Sequence, residues 1–454
     1  MKTYQDLLEI GENEKDRMNF CVSAISEYKA SPEYKIAVDA DLYFQGENVT
    51  ITMVDKWITD VFGQKKRDLW SPNHKIKSHL YPCFIIQQVL FLLGNGISFN
   101  EESTQKKLGK NFYKRMLHAA FNALNGGKTF IFWNQDHIIE FPATQYLPLV
   151  DEETGMYAAG IRFWQLTPDK PLRVVLFEPD GYTAYIKNKG EDITLYEAKR
   201  PYRLNVTVSD TGTEIAPGEP YPGFPVIPLE NFGGKSALLG NRETVDAYDL
   251  MISKLVNNLD NAEFVYWVIK NAPGMEEEDL QAFLQHLKTS GIIATGEGQE
   301  VDAHQIEAPF EATEAALATL RKQLFTDFMA VDTESIAGGA DTATRIIATY
   351  EPLNEKTDLF EAQVTECIEG ILEVAGIDDV PTYTRAMVVN QQEQIRTLVE
   401  AAEYLDSEYI LRKILEILGD ADKTDEILER KLAADASRFE DESNNIVYTE
   451  TEVE

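Results

Sequence analysis

Cysteine is scarce in this 454-residue chain: Cys21, Cys83 and Cys367 are odd in number and widely scattered. A disulfide framework is therefore excluded, and free thiols in a reducing compartment are expected. Long apolar runs are missing as well. The most apolar stretch, Phe84 to Leu93, holds Gln87 and Gln88. It is about half of the ~20 residues a membrane span requires, so a buried helix and no membrane association are expected. The opening MKTYQDLLEIGENEKDR has no apolar core of a secretory signal. Positive charge is in deficit, with 42 Lys and Arg against 76 Asp and Glu and a formal charge of -34. That balance excludes a protein that clamps nucleic acid through many phosphate contacts. It does not exclude one past which DNA must slide without sticking.

Catalytic and cofactor signatures are also lacking. The six histidines contain no HExxH, and His74 and His79 are five apart, a poor spacing for one helix face. His118 sits among apolar residues of a helical pattern and reads as structural. Asn125-Gly126-Gly127-Lys128-Thr129 looks like part of a phosphate loop, but Asn122 stands where the first glycine is required, and a helix precedes the glycines where a strand should. A helix stop is the better reading. No nucleophile elbow stands out, and Leu42-Tyr43-Phe44-Gln45-Gly46, though like a protease tag, lies well inside the chain. No catalytic residue, metal site or cofactor is expected.

What is present is a change of character along the chain. Residues up to about Asn125 read mainly as helix, with NFYKRMLHAAFNAL (111–124) in helical register. Strands are expected at 128–133, 137–141, 157–166, 172–177, 182–187 and 192–198, and their short separations favour antiparallel hairpins. The segment APGEPYPGFPVIP (216–228) marks a boundary and is expected to lack regular structure. A long helix is expected from Ser236 to about Ala262. Its apolar face carries Val245, Tyr248, Ile252, Leu255, Val256 and Leu259, and its adjacent polar face Asp246, Asp249, Ser253, Asn257 and Asp260. A short helix (276–287) and a hairpin around Gly296 follow. A second long helix runs from 311 to 330 and a third from 344 to 375, with Pro352 inside it. The Gly-containing loop 331–343 separates them. Residues 382–389 could form a strand, 390–418 and 423–433 helices, and the tail 441–454, without Lys or Arg, reads as disordered.

That order resembles the SPP1-like portal family of long-tailed phages. The residues that carry the resemblance are IPLENFGGKSALLGNRETVDAYDLMISKLVNN (227–258), APFEATEAALATLRKQLFTDF (308–328), IAGGADTATRIIATYEPL (336–353), the aromatic-Gly-Asn element ADLYFQGEN (40–48) and VNQQEQIRTLVEAAEYLDSEYILRKI (389–414). The family often has Ser-Gly just after its tunnel loop, where this chain has Asp341-Thr342.

The resemblance implies an α+β, multidomain fold. A wing would span 1–235 with 344–385, the stem helices 236–262 and 309–330, a small α/β clip 263–308, a tunnel loop 331–343, a helical crown 386–436, and an acidic tail 437–454. It implies a ring of about twelve copies at one capsid vertex, closed by heterologous contacts. Double-stranded DNA would pass through the ring without sequence specificity during packaging and ejection. Partners would be the terminase large subunit, head-completion and adaptor proteins, and the major capsid and scaffolding proteins. The ring would be assembled in the host cytoplasm and kept in the virion. Expected channel residues are Ile336, Ala337, Gly338, Gly339, Ala340, Asp341 and Thr342 in the loop, with Asp246, Asp249, Ser253, Asn257 and Asp260 on the stem. Glu276, Glu277, Glu278 and Gln281 of the clip would bind partners. The competing readings are an acidic multidomain enzyme and a virion assembly protein without a channel.

Overall fold

The structure is a computed structural model. It describes residues 2–59, 64–68, 71–203, 205–209, 212–216, 218–262, 265–270, 300–305, 310–334, 343–386, 395, 398–404, 406–418 and 424–430. The chain divides into two compact units, Met1–Val331 with Pro352–Ala386, and Asp332–Glu351 with Met387–Glu454.

The first unit mixes helix and sheet. Its N-terminal part is helical, as its patterning requires, with helices Glu14–Ala30, Pro32–Phe44, Leu80–Leu93 and Phe112–Gly126. Short strands that the periodicity did not show, Trp57–Thr59, Lys65–Arg67 and Ile97–Phe99, interrupt it. Phe112, Met116, Ala119, Ala120, Ala123 and Leu124 form the buried stripe of the last helix. They belong to the main core, together with Phe130, Ile131, Phe132 and Phe141. Gly127, at φ 88°, ends the helix. A Cβ there would meet the backbone at Gly234 and Ser236 at 2.8 Å. The phosphate-loop look-alike is thus a helix stop crossed closely by another strand of chain. Lys128 is occupied by the Tyr157 hydroxyl at 3.0 Å and Glu230 at 3.5 Å.

The expected strands appear within a few residues of their anticipated ends, and every pairing is antiparallel. Four of them, with Tyr146–Val150, form a five-stranded meander in which consecutive strands are neighbours. The three-stranded sheet sets Val226–Glu230 beside Lys128–Asn134 and His137–Pro142. Within these two sheets, two strands went unanticipated. Tyr146–Val150 is buried at four successive positions and so shows no alternation. Val226–Glu230 contradicts the expectation that 216–228 lacks regular structure. Pro228 is tolerated because this strand lies at a sheet edge, where a missing N–H need not break a ladder. A second core joins Leu7 of helix Tyr4–Ile10 and Phe20, Cys21, Ala24, Ile25 and Tyr28 of helix Glu14–Ala30 to the inner face of the meander.

Helices Arg242–Ala262 and Phe310–Asp327 pack together. Between them strand Val265–Lys270 pairs antiparallel with Glu300–Gln305. The first helix starts at Arg242 rather than 236, because Gly240 takes a left-handed φ of 87° that a helix cannot continue through. Residues 276–287, the turn near Gly296, the loop centre 335–342 and the tail 441–454 lie outside the described residues. His118 is exposed, on the water-facing side of its helix, and is not the enclosed structural histidine anticipated.

Helix Ala343–Ala375 contains Pro352, where the chain re-enters the first unit. Tyr383 lies in a strand, Pro381–Tyr383, paired with Ile97–Phe99. In the second unit, helix Ser407–Leu418 confirms part of the helical pattern at 390–418, and its Ile410 and Leu415 are buried.

Candidate functional site

The polar face of the Arg242–Ala262 helix was expected to meet solvent. It meets the chain instead. Asp249, Ser253 and Asn257 are 1%, 4% and 7% exposed. The segment 73–79 runs along them and meets them at alternate residues. Ser78 N–H donates to Asp249 Oδ1 at 3.0 Å, Ile76 N–H to Ser253 Oγ at 2.9 Å, and His74 N–H to Asn257 Oδ1 at 2.7 Å. At the far end His74 Nε2 lies 2.6 Å from Asp260 Oδ2.

This match has a geometric cause. Four residues of helix rise about 6 Å, and two residues of extended chain rise about 6.6 Å. Alternate backbone N–H groups at 74, 76 and 78 therefore keep step with side chains at i, i+4 and i+8. Ser253 completes its own valence by donating to Asp249 O at 2.7 Å. The outward alternates, Lys75 and Lys77, reach Asp55 and Glu47.

The aromatic-Gly-Asn element lands on the same helix. Asn48 is buried and has three jobs. Its Oδ1 accepts from Ile51 N–H at 3.0 Å and lies 3.1 Å from the Tyr43 hydroxyl oxygen, and its Nδ2 donates to Asp249 Oδ2 at 2.8 Å. Asp246 accepts from the Tyr43 hydroxyl at 2.5 Å and lies beside Arg242, which also pairs with Asp39 at 2.6 Å. Burial pushes the carboxyl of Asp249 above the ordinary aspartate range, against the bonds from Ser78 and Asn48 that favour its charge. Burial likewise raises the Tyr43 hydroxyl, and its bond to Asp246 adds to the rise.

Gly46 makes the turn between Tyr43 and Asn48. It sits at φ 80°, and a Cβ would come within 2.5 Å of the His79 ring. His79 can swing aside, but the left-handed backbone cannot be relieved. Gly46→Ala is expected to cost about 1–2 kcal/mol, read as a lowered thermal midpoint, with no change in helix content.

Expected bore-lining positions are thus corrected in part. Asp249, Ser253 and Asn257 are covered by 73–79, and only Asp246 and Asp260 keep some exposure, 17% and 42% of their side chains. Glu276, Glu277, Glu278 and Gln281, and Ile336 through Thr342, lie outside the described residues.

The stem of that loop is described. Gln87 clamps Val331 from both sides, its Nε2 donating to Val331 O and its Oε1 accepting from Val331 N–H, each at 2.9 Å. Phe328 stacks on Phe84 with ring centroids 4.5 Å apart. Lys356, just past the point of re-entry at Pro352, donates to Phe328 O at 2.9 Å. The departing and returning strands of the 332–351 excursion are therefore tied at one place.

Among the described residues no group of three or more His, Cys, Asp and Glu could hold a metal, and no helix is long and apolar enough to cross a membrane.

The model of the phage portal protein family, SPP1 Gp6-like, matches residues 39–437. The chain belongs to this family. A portal protein of Clostridium phage phiCD119 is 26% identical over 388 residues, covering 79% of this chain and 83% of that protein. The portal protein of Bacillus phage SPP1 is 21% identical over 378 residues, covering 75% and 72%. Among solved structures, a chain from the neck of a native gene transfer agent particle, computed with C12 symmetry, is similar at a TM-score of 0.41 and 12% identity. That match covers 73% of this chain and 87% of the other. An HK97 family phage portal protein from Corynebacterium diphtheriae gives 0.34 and 12%, over 66% and 89%. The family match starts at residue 39, just before the Tyr43–Asn48 element, and includes both halves of the helix–strap contact. That family is a structural rather than a catalytic one.

Proposed function

We propose that this portal protein forms a ring of about twelve copies at one capsid vertex, through which double-stranded DNA enters and leaves. The observation that carries the reading is the family match across residues 39–437. Two packed helices joined through a strand pair, followed by a tied-off Gly-rich loop, fit its parts. The 242–262 and 310–327 helices act as the stem, 263–308 as the clip, 331–343 as the tunnel loop, 386–436 as the crown, and the rest of the first unit as the wing. The clip docks the terminase large subunit and then head-completion or adaptor proteins. Wing and crown face the major capsid and scaffolding proteins. Assembly takes place in the host cytoplasm.

Of the stem's polar face, Asp246 and Asp260 remain as candidates to line the bore. The covered Asp249, Ser253 and Asn257 fix the helix to the wing. A net charge of -34 per copy suits a passage that must not hold phosphates.

Native mass and negative-stain images of the purified chain test this reading. Large particles with a central hole are expected, and a monomer at all concentrations would overturn it. Reversing Glu276, Glu277 and Glu278 to Lys is expected to lower terminase affinity at least about tenfold, most at low salt, through lost charge complementarity. Rings should still form. Terminase pull-down against ring assembly on the same preparation checks it, and unchanged docking would remove the acidic tip from the contact.

A further inference from the structure

We propose that the hairpin Trp57–Thr59 with Lys65–Arg67 docks against a second copy of this chain; the inference rests on the ring-forming reading above. The two strands pair antiparallel, with Trp57 opposite Arg67. No third strand joins them among the described residues. A lone two-stranded sheet is marginal in water, and a sheet edge can take a partner strand.

Its surface has the composition of a contact. Met53, Val54 and Trp57 are 75%, 38% and 63% exposed within five residues of chain. Beside them every position of Lys65–Arg67 is exposed. Aromatic, Met and Arg side chains are the types that interface centres favour.

Charge identifies the occupant. Between residues 53 and 79, Lys56, Lys65, Lys66, Arg67, Lys75 and Lys77 outnumber Asp55, Asp60 and Asp68, whereas the whole chain has 42 basic against 76 acidic residues. Copies that each carry -34 repel one another. To sit side by side they need places where the sign reverses, and this segment is such a place. A second copy supplies the carboxylates in abundance.

DNA fits less well. Lys56, Lys75 and Lys77 already bond Pro72 O, Asp55 and Glu47 within the chain. Arg67 likewise pairs with Asp55 at 2.9 Å, and the exposed Met53 and Val54 beside this strand gain nothing from phosphate.

Hydroxyl-radical oxidation of the full-length protein, read at Trp57 by mass spectrometry, compares assembled with dissociated chains. Protection of Trp57 by at least about fivefold on assembly is expected, as burial in a packed contact requires. The double variant Lys65→Glu, Lys66→Glu should raise the concentration needed for half-assembly at least about tenfold, more at low salt. Trp57→Ala should also raise it, and circular dichroism should match the unaltered chain. Equal oxidation of Trp57 in both states overturns the proposal even if a variant misfolds. Normal assembly of the charge-reversed chain with weakened DNA retention also overturns it and assigns the hairpin to DNA. Failure of the unaltered chain to assemble at all removes the ring reading itself, and the docking role with it.

Discussion

Asp249→Ala is expected to lower stability by about 2–5 kcal/mol, because it strands the half-buried Ser78 N–H and the buried Asn48 amide without an acceptor. That is a large part of the ~5–15 kcal/mol that holds a typical domain. Its two oxygens serve different donors at 3.0 and 2.8 Å. Asp249→Asn should therefore restore only half, since the new amide nitrogen would face the donor Asn48 Nδ2. Urea denaturation should show the loss, and limited proteolysis should cut within 72–79 before any other change. Asp260→Ala is the control. Its carboxylate is 42% exposed and meets His74 near the surface, so a change within about 0.5 kcal/mol is expected. Equal losses at the two positions would mean that the strap is not what the buried aspartate holds.

Gly338→Val with Gly339→Val is expected to leave ring assembly intact and to reduce DNA packaging or retention by at least about tenfold, the effect of roughly 1.4 kcal/mol on one step. Ile336-Ala337-Gly338-Gly339-Ala340 is small and uncharged, and paired glycines let a loop change shape cheaply. Valine restricts χ1 and resists positive φ. The loop's roots do not involve these residues. They are held by the Gln87–Val331 clamp, the Phe84–Phe328 stack and the Lys356 bond to Phe328. A firmly held root beneath a pair of glycines suits a constriction past which DNA slides. Encapsidated DNA measured after nuclease treatment, beside particle counts, separates a packaging defect from an assembly defect. Full packaging by the double variant would end the assignment.

The sequence alone determined most of the described helices and four of the five meander strands, because those follow from local periodicity and turn chemistry; the Pro- and Gly-rich segment read as a boundary instead ends in a strand of the core sheet, inside one unit. The family was legible for the same reason: its elements recur in order along the chain. The look-alike phosphate loop could be dismissed from Asn122 and the order of helix and strand. Local pattern misled where two distant segments meet. Asp249, Ser253 and Asn257 form a polar stripe, and a polar stripe by itself says water. Their types carried a weaker signal, since Asp, Ser and Asn are poor helix formers whose short side chains bond nearby backbone, where a water-facing stripe would favour Glu and Lys. Only the tertiary structure shows which backbone they bond. The strap at 73–79 lies about 175 residues away in sequence, and nothing local records the pairing. The same holds for Asn48 and Asp249, 201 residues apart, and for Gln87 and Val331, 244 apart. A contact across such a distance depends on two surfaces fitting when the core closes, so periodicity fixed which side chains share a face while packing decided what that face would touch.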